Sequence, residues 1–100
     1  MRLTEQEKNA IIESIETFVE GRCEIRLYGS RAREGTAGGD IDILILSEKE
    51  IPKSIIRRIK IHIKNRIGYQ QIDIVNSTFE QKDTFVRIVE GESIKLWERK

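Results

Sequence analysis

The chain has 100 residues and a formal net charge of +1, with 35% charged and 38% hydrophobic residues. That length suits one small domain, residues 1–100, with a single core and no separate substrate-binding domain, and the near-zero charge gives no support to a protein that coats nucleic acid. The lone cysteine, Cys23, excludes an intrachain disulfide, no stretch is apolar enough to span a membrane, and the N-terminus lacks the apolar core of a signal peptide, so a soluble cytoplasmic protein is expected.

Thr4-Glu5-Gln6-Glu7 has the form of a capping box, a hydroxyl followed three residues later by a Glu. Ile11, Ile12, Ile15, Phe18 and Val19 follow at helical spacing, which predicts a helix over 4–20 with Gly21 as its stop. Residues 24–28 read as a short strand with Ile25 and Leu27 on one face. Gly29-Ser30 breaks it. Arg31-Ala32-Arg33-Glu34 can form one helical turn, and 35–39 reads as a glycine-rich loop. A second strand runs over 40–46, apolar enough to lie centrally in a sheet.

Pro52 suits the first turn of a helix, where its missing N–H costs nothing, and the pattern predicts a helix over 52–67. Its apolar stripe is Ile55, Ile56, Ile59, Ile63 and Ile67, opposite a basic stripe of Lys53, Arg57, Lys60 and Lys64. The basic stripe reads as a solvated face or as a contact surface, and Ile61 falls beside it. Gly68 ends the helix. Residues 70–75 form a third strand, with Ile72 and Ile74 on one face and Asp73 on the other. After the N-cap candidates Asn76, Ser77 and Thr78, a last helix is expected over 79–90, with Phe85, Ile88 and Val89 facing the core and Gly91 as its end. Residues 93–98 alternate and read as an extended tail whose Ile94, Leu96 or Trp97 could dock on the body or on another chain. The fold class expected is α/β (α+β), a three-stranded sheet with helices packed against it.

The chemistry gathers between Tyr28 and Leu46. In a strand, residues i and i+2 share a face, so Asp40 and Asp42 point the same way, their Cα atoms about 7 Å apart, while Ile41, Ile43 and Ile45 point into a core. Two such carboxylates beside apolar surface call for a cation between them. Hard divalent ions prefer oxygen ligands, and two of them about 3.5–4 Å apart can clamp both sides of a phosphoryl displacement. Gly29 lets a phosphate approach the backbone closely, the turn presents N–H groups and the Ser30 hydroxyl, and Arg31 and Arg33 add positive charge. If the third strand lies beside the second, Asp73 joins the pair. The alternatives are an outward acidic pair that discourages edge pairing and a solvent-facing Asp73.

Together, Tyr28-Gly29-Ser30-Arg31-Ala32-Arg33, Asp40-Ile41-Asp42 and Asp73 resemble the minimal nucleotidyltransferases of the DNA polymerase β-like superfamily. The resemblance covers nearly the whole chain and departs from the common pattern at Glu34 and Gly39, where family members often carry Gly and Ser. It implies the polymerase β-like fold, a small three-stranded mixed sheet with about four helices. It also implies that Gly29 and Ser30 hold the outer phosphates of ATP, that Asp40, Asp42 and Asp73 bind two Mg²⁺ ions, and that Asp73 helps deprotonate the acceptor hydroxyl. Members of this kind are paired with a HEPN toxin and adenylylate a tyrosine near its active site, as antitoxins. The resemblance thus implies a protein adenylyltransferase. Its rivals are a non-catalytic module that blocks the partner sterically and a transferase acting on RNA tails or small molecules. The sole histidine, His62, is expected to have no catalytic role.

Overall fold

The structure, a computed structural model, describes residues 3–33 and 39–100. Its elements run α1 (Glu5–Phe18), β1 (Cys23–Tyr28), a 3-10 turn (Gly29–Ala32), β2 (Ile41–Ser47), α2 (Lys53–Ile67), β3 (Ile72–Thr78), α3 (Thr84–Glu92) and β4 (Ile94–Arg99). Of the glycine-rich stretch read from the sequence, 34–38 lies outside the described residues.

The capping box forms as expected: the Glu7 amide donates to Thr4 Oγ1 at 3.0 Å and the Thr4 amide donates to Glu7 Oε1 at 2.9 Å. α1 ends at Phe18, before the expected position, because Val19 turns extended and buries its side chain. α2 follows its predicted bounds closely, with Pro52 one residue earlier than expected, at the N-cap, where its carbonyl accepts from the amides of Ile55 and Ile56.

Among the described residues the sheet has four strands in the order β3-β2-β1-β4, where three were expected. β1 pairs antiparallel with both β2 and β4, and β2 pairs parallel with β3. The alternating tail is therefore the edge strand β4. Trp97 lies opposite Ile25 and packs against the core, so the tail is not a free docking arm. Only a weak alternation marked this strand in the sequence, and its register slips between Ile25 and Arg26.

One face of the sheet carries Ile41, Ile43 and Ile45 of β2 with Cys23, Ile25 and Leu27 of β1, all fully buried under Ile11 and Ile15 of α1 and Ile59 and Ile63 of α2. His62 belongs to this helix pair: its Nδ1 lies 2.7 Å from Ser14 Oγ and its ring meets Phe18 edge-on at 5.7 Å, a structural role. Ile61 is 54% exposed, outside the stripe as expected.

The other face carries Leu44 and Leu46, covered by Val86 and Val89 of α3 with Tyr28, Val75 and Phe79 around them. Here the sequence reading needs correction. β3 runs on to Thr78, and α3 starts at Thr84, where the Asp83 carboxylate accepts from the Val86 amide at 2.8 Å. That cap places Val86 and Val89 inward and leaves Phe85 and Ile88 more than half exposed. The run Phe85-Val86-Arg87-Ile88-Val89 offers two apolar faces at helical spacing, and the compact valines sit on the leucines. Gly91 lies within the last turn rather than ending the helix. Asn76, read as a cap, sits inside β3. Its side-chain amide donates to the Ile45 carbonyl at 2.9 Å, while its oxygen accepts from the Ile51 amide at 2.7 Å, fixing the connection from β2 to α2.

Candidate active site

The strand pairing places the acidic residues. Asp42 lies opposite Tyr28 on one side and opposite Asp73 on the other. Register partners in a ladder share a face, so Asp42 and Asp73 project from neighbouring strands on the α3 side of the sheet, opposite the isoleucine core. Both are partly buried. Asp40 stands just before β2 in an exposed position. The Ile41 amide donates to the Gln71 carbonyl at 3.0 Å, which ties the start of β2 to the chain entering β3.

Burial, then Asp73, then Asp40 push the Asp42 carboxyl above its ordinary value. The Tyr28 phenol is likewise raised, by burial and then by Asp42 and Asp73. The three acidic groups therefore act on one region. Among the described residues no set of three or more His, Cys, Asp or Glu side chains is already arranged to hold a metal ion. An all-oxygen donor set under mutual repulsion has the chemistry of a hard divalent cation site.

The Gly29-Ser30 corner abuts this pair. Gly29 has φ +74°, and a Cβ there would run into Asp42 Oδ2. Only glycine lets that carboxylate sit against the end of β1. Gly39 has φ +127°, and a Cβ there would lie 2.6 Å from Ser30 Oγ. Gly39 is thus glycine for a local reason. Both ends of the loop between β1 and β2 meet at Ser30.

Arg31 also lies at this junction. Its Nε donates to the Gly39 carbonyl at 3.1 Å, and its Nη1 lies 3.7 Å from Glu7 Oε1 on α1. Ser30, Arg31 and Arg33 each have further interactions within the chain. Sequence reasoning missed Tyr28 and Glu7 as neighbours of the site. Tyr28 had a signal in the strand register; Glu7 had none beyond its cap.

The sequence matches the polymerase beta nucleotidyltransferase family over residues 10–100. The chain belongs to that family. It is a nucleotidyltransferase with the polymerase β-like α/β fold, here a four-stranded mixed sheet. Solved structures share the fold. One is the tri-AMPylated Shewanella oneidensis HEPN toxin in complex with MNT antitoxin, with a TM-score of 0.68 and 20% identity over 91% of this chain and 69% of that one. Another is a toxin–antitoxin complex with AMP-PNP, with a TM-score of 0.74 and 18% identity over 90% and 72% of the two chains. A third is a mutant of the MntA–HpeT toxin–antitoxin, with a TM-score of 0.72 and 16% identity over 90% and 71%. No curated protein sequence matches the chain. Among the described residues no helix is long and apolar enough to cross a membrane.

Proposed function

We propose that this nucleotidyltransferase is a single cytoplasmic domain that transfers AMP from ATP to a hydroxyl, a tyrosine, of a partner HEPN toxin and acts as the antitoxin of the pair. The observation that carries the reading is the register of β2 and β3, which sets Asp42 opposite Asp73 beside the Gly29-Ser30 corner. The toxin–antitoxin complexes of similar fold, one with a tri-AMPylated toxin and one with AMP-PNP, support the choice of partner and nucleotide.

In this reading Asp40, Asp42 and Asp73 would hold Mg²⁺, which when bound would supply positive charge to the triphosphate and lower the pKa of the acceptor hydroxyl. Gly29 and Ser30 hold the outer phosphates through backbone N–H groups and the Ser30 hydroxyl, with Arg33 adding positive charge. Asp73 takes the proton of the attacking hydroxyl. The hydroxyl oxygen bonds to the α-phosphorus, the bond from that phosphorus to the bridging oxygen breaks, and pyrophosphate leaves. Tyr28, its phenol held protonated, packs beside the carboxylates and orients rather than ionises. The side of α2 that carries the exposed Lys53, Arg57 and Ile61 is the surface offered to the partner.

The test incubates the protein with labelled ATP, Mg²⁺ and the product of its neighbouring gene. Label on the partner, lost with Asp73→Asn while the variant stays folded, is the expected result. An unlabelled partner that is still fully neutralised by an Asp40→Asn, Asp42→Asn double variant establishes the rival, a steric binding module.

A further inference from the structure

We infer that Arg31 is a positioning residue: it anchors the peptide leading into Asp40 to the first turn of α1, and so sets where Asp40 stands relative to Ser30. The sequence reading set Arg31 beside the phosphates as positive charge; its contacts in the structure give it a different task. Its Nε donates to the Gly39 carbonyl at 3.1 Å. That carbonyl belongs to the peptide bond joining Gly39 to Asp40, so the hydrogen bond fixes the plane from which the Asp40 side chain departs. The other side of Asp40 is held by the Ile41 amide on the Gln71 carbonyl. The exposed Asp40 thus hangs between two backbone anchors, one supplied by a side chain.

Arg31 is itself held. Its side chain is 13% exposed, and its Nη1 faces Glu7 Oε1 at 3.7 Å. The same Glu7 oxygen accepts the Thr4 amide, so the carboxylate that caps α1 also anchors the guanidinium. A planar, five-donor guanidinium can serve a carbonyl and a carboxylate at once, whereas an ammonium is a flexible point charge. Residues that orient a metal-binding side chain from behind typically change metal affinity 10–100-fold when removed.

This inference rests on the nucleotidyltransferase reading, and its test separates the two. Calorimetry measures ATP binding in Mg²⁺ and in EDTA for the wild-type chain, Arg31→Ala, Arg31→Lys, Glu7→Gln and the Arg31→Ala, Glu7→Gln double variant, with thermal melts in parallel. Arg31→Ala should weaken ATP binding about tenfold in Mg²⁺ and much less in EDTA. Glu7→Gln, which retains an oxygen for the helix cap, should weaken it in the same direction. The double variant should be no worse than Arg31→Ala alone, because both changes break one chain of contacts. Arg31→Lys should restore only part of the loss. An equal loss in Mg²⁺ and EDTA, or unchanged or tighter binding in Glu7→Gln, would show that Arg31 meets the phosphates directly and would overturn the inference. A wild-type chain that binds no ATP in Mg²⁺ would instead sink the nucleotide reading, and the inference with it.

Discussion

The two faces of the sheet divide the work. The face under α1 and α2 is a closed layer of fully buried isoleucines, whereas the face under α3 has, among the described residues, four buried aliphatic side chains and carries the partly buried Asp42–Asp73 pair at one end. β2 belongs to both. Its odd positions, Ile41, Ile43 and Ile45, hold the fold, and its even positions run from Asp42 into Leu44 and Leu46. A strand can do this because its side chains alternate sides, so the chemistry is set on a rigid element without interrupting the core behind it. Substitutions on the two sides of this one strand should therefore have opposite signatures.

The largest expected effect lies on the closed face. Ile43→Ala removes a fully buried side chain at the centre of the sheet and should cost about 2–5 kcal/mol, read from a urea melt. A loss under 1 kcal/mol would mean that the helical face is not the principal core.

Next comes the corner between the faces. Gly29→Ala places a side chain at φ +74° and against Asp42 Oδ2. The left-handed conformation alone should cost about 1–2 kcal/mol. Because the added methyl displaces Asp42, ATP binding in Mg²⁺ should fall by more than the stability loss explains. Equal affinity in a folded Gly29→Ala chain would break the link between this corner and the carboxylate.

The smallest effect has the opposite sign. Asp42 is raised above its ordinary 3.8 by burial and by Asp73 and Asp40. A raised folded-state value means that the proton is held more tightly in the fold, so this contribution is complete below 3.8 and is lost as pH rises through the raised value. At neutral pH the charge works against the fold. Asp42→Asn should therefore stabilise the chain by roughly 0.2–1 kcal/mol, as expected for relieving opposed like charges, while ending ATP binding in Mg²⁺. The gain should shrink as pH falls through that window. A destabilised Asp42→Asn at pH 7 would show that the α3 face is not strained by its charges.

Much of this was legible beforehand because it is periodic. The capping box, the apolar stripe of α2 and the period-two pattern of β2 each follow from local geometry. Asp73 was legible only on the condition that β3 lie beside β2, which tertiary pairing had to supply. β4 was read as a tail because its partner β1 lies far away in sequence and its alternation is broken by a bulge. The face of α3 was misread because Phe85 and Ile88 compete with Val86 and Val89, and the Asp83 cap, not apolarity, fixes the choice. The engagement of Arg31 with Gly39 and Glu7 had no sequence signal, since nothing local distinguishes an arginine that holds a carbonyl from one that awaits a phosphate.

The central claim is that Asp42 and Asp73 meet across the ladder to bind a divalent ion with the triphosphate. The most direct measurement is electron paramagnetic resonance of Mn²⁺, a spin-active substitute for Mg²⁺, titrated with a non-hydrolysable ATP analogue into the wild-type chain, Asp42→Asn and Asp73→Asn. The account predicts protein-bound Mn²⁺ in the wild-type chain that neither folded variant retains. Bound Mn²⁺ in both variants at the wild-type level would contradict it.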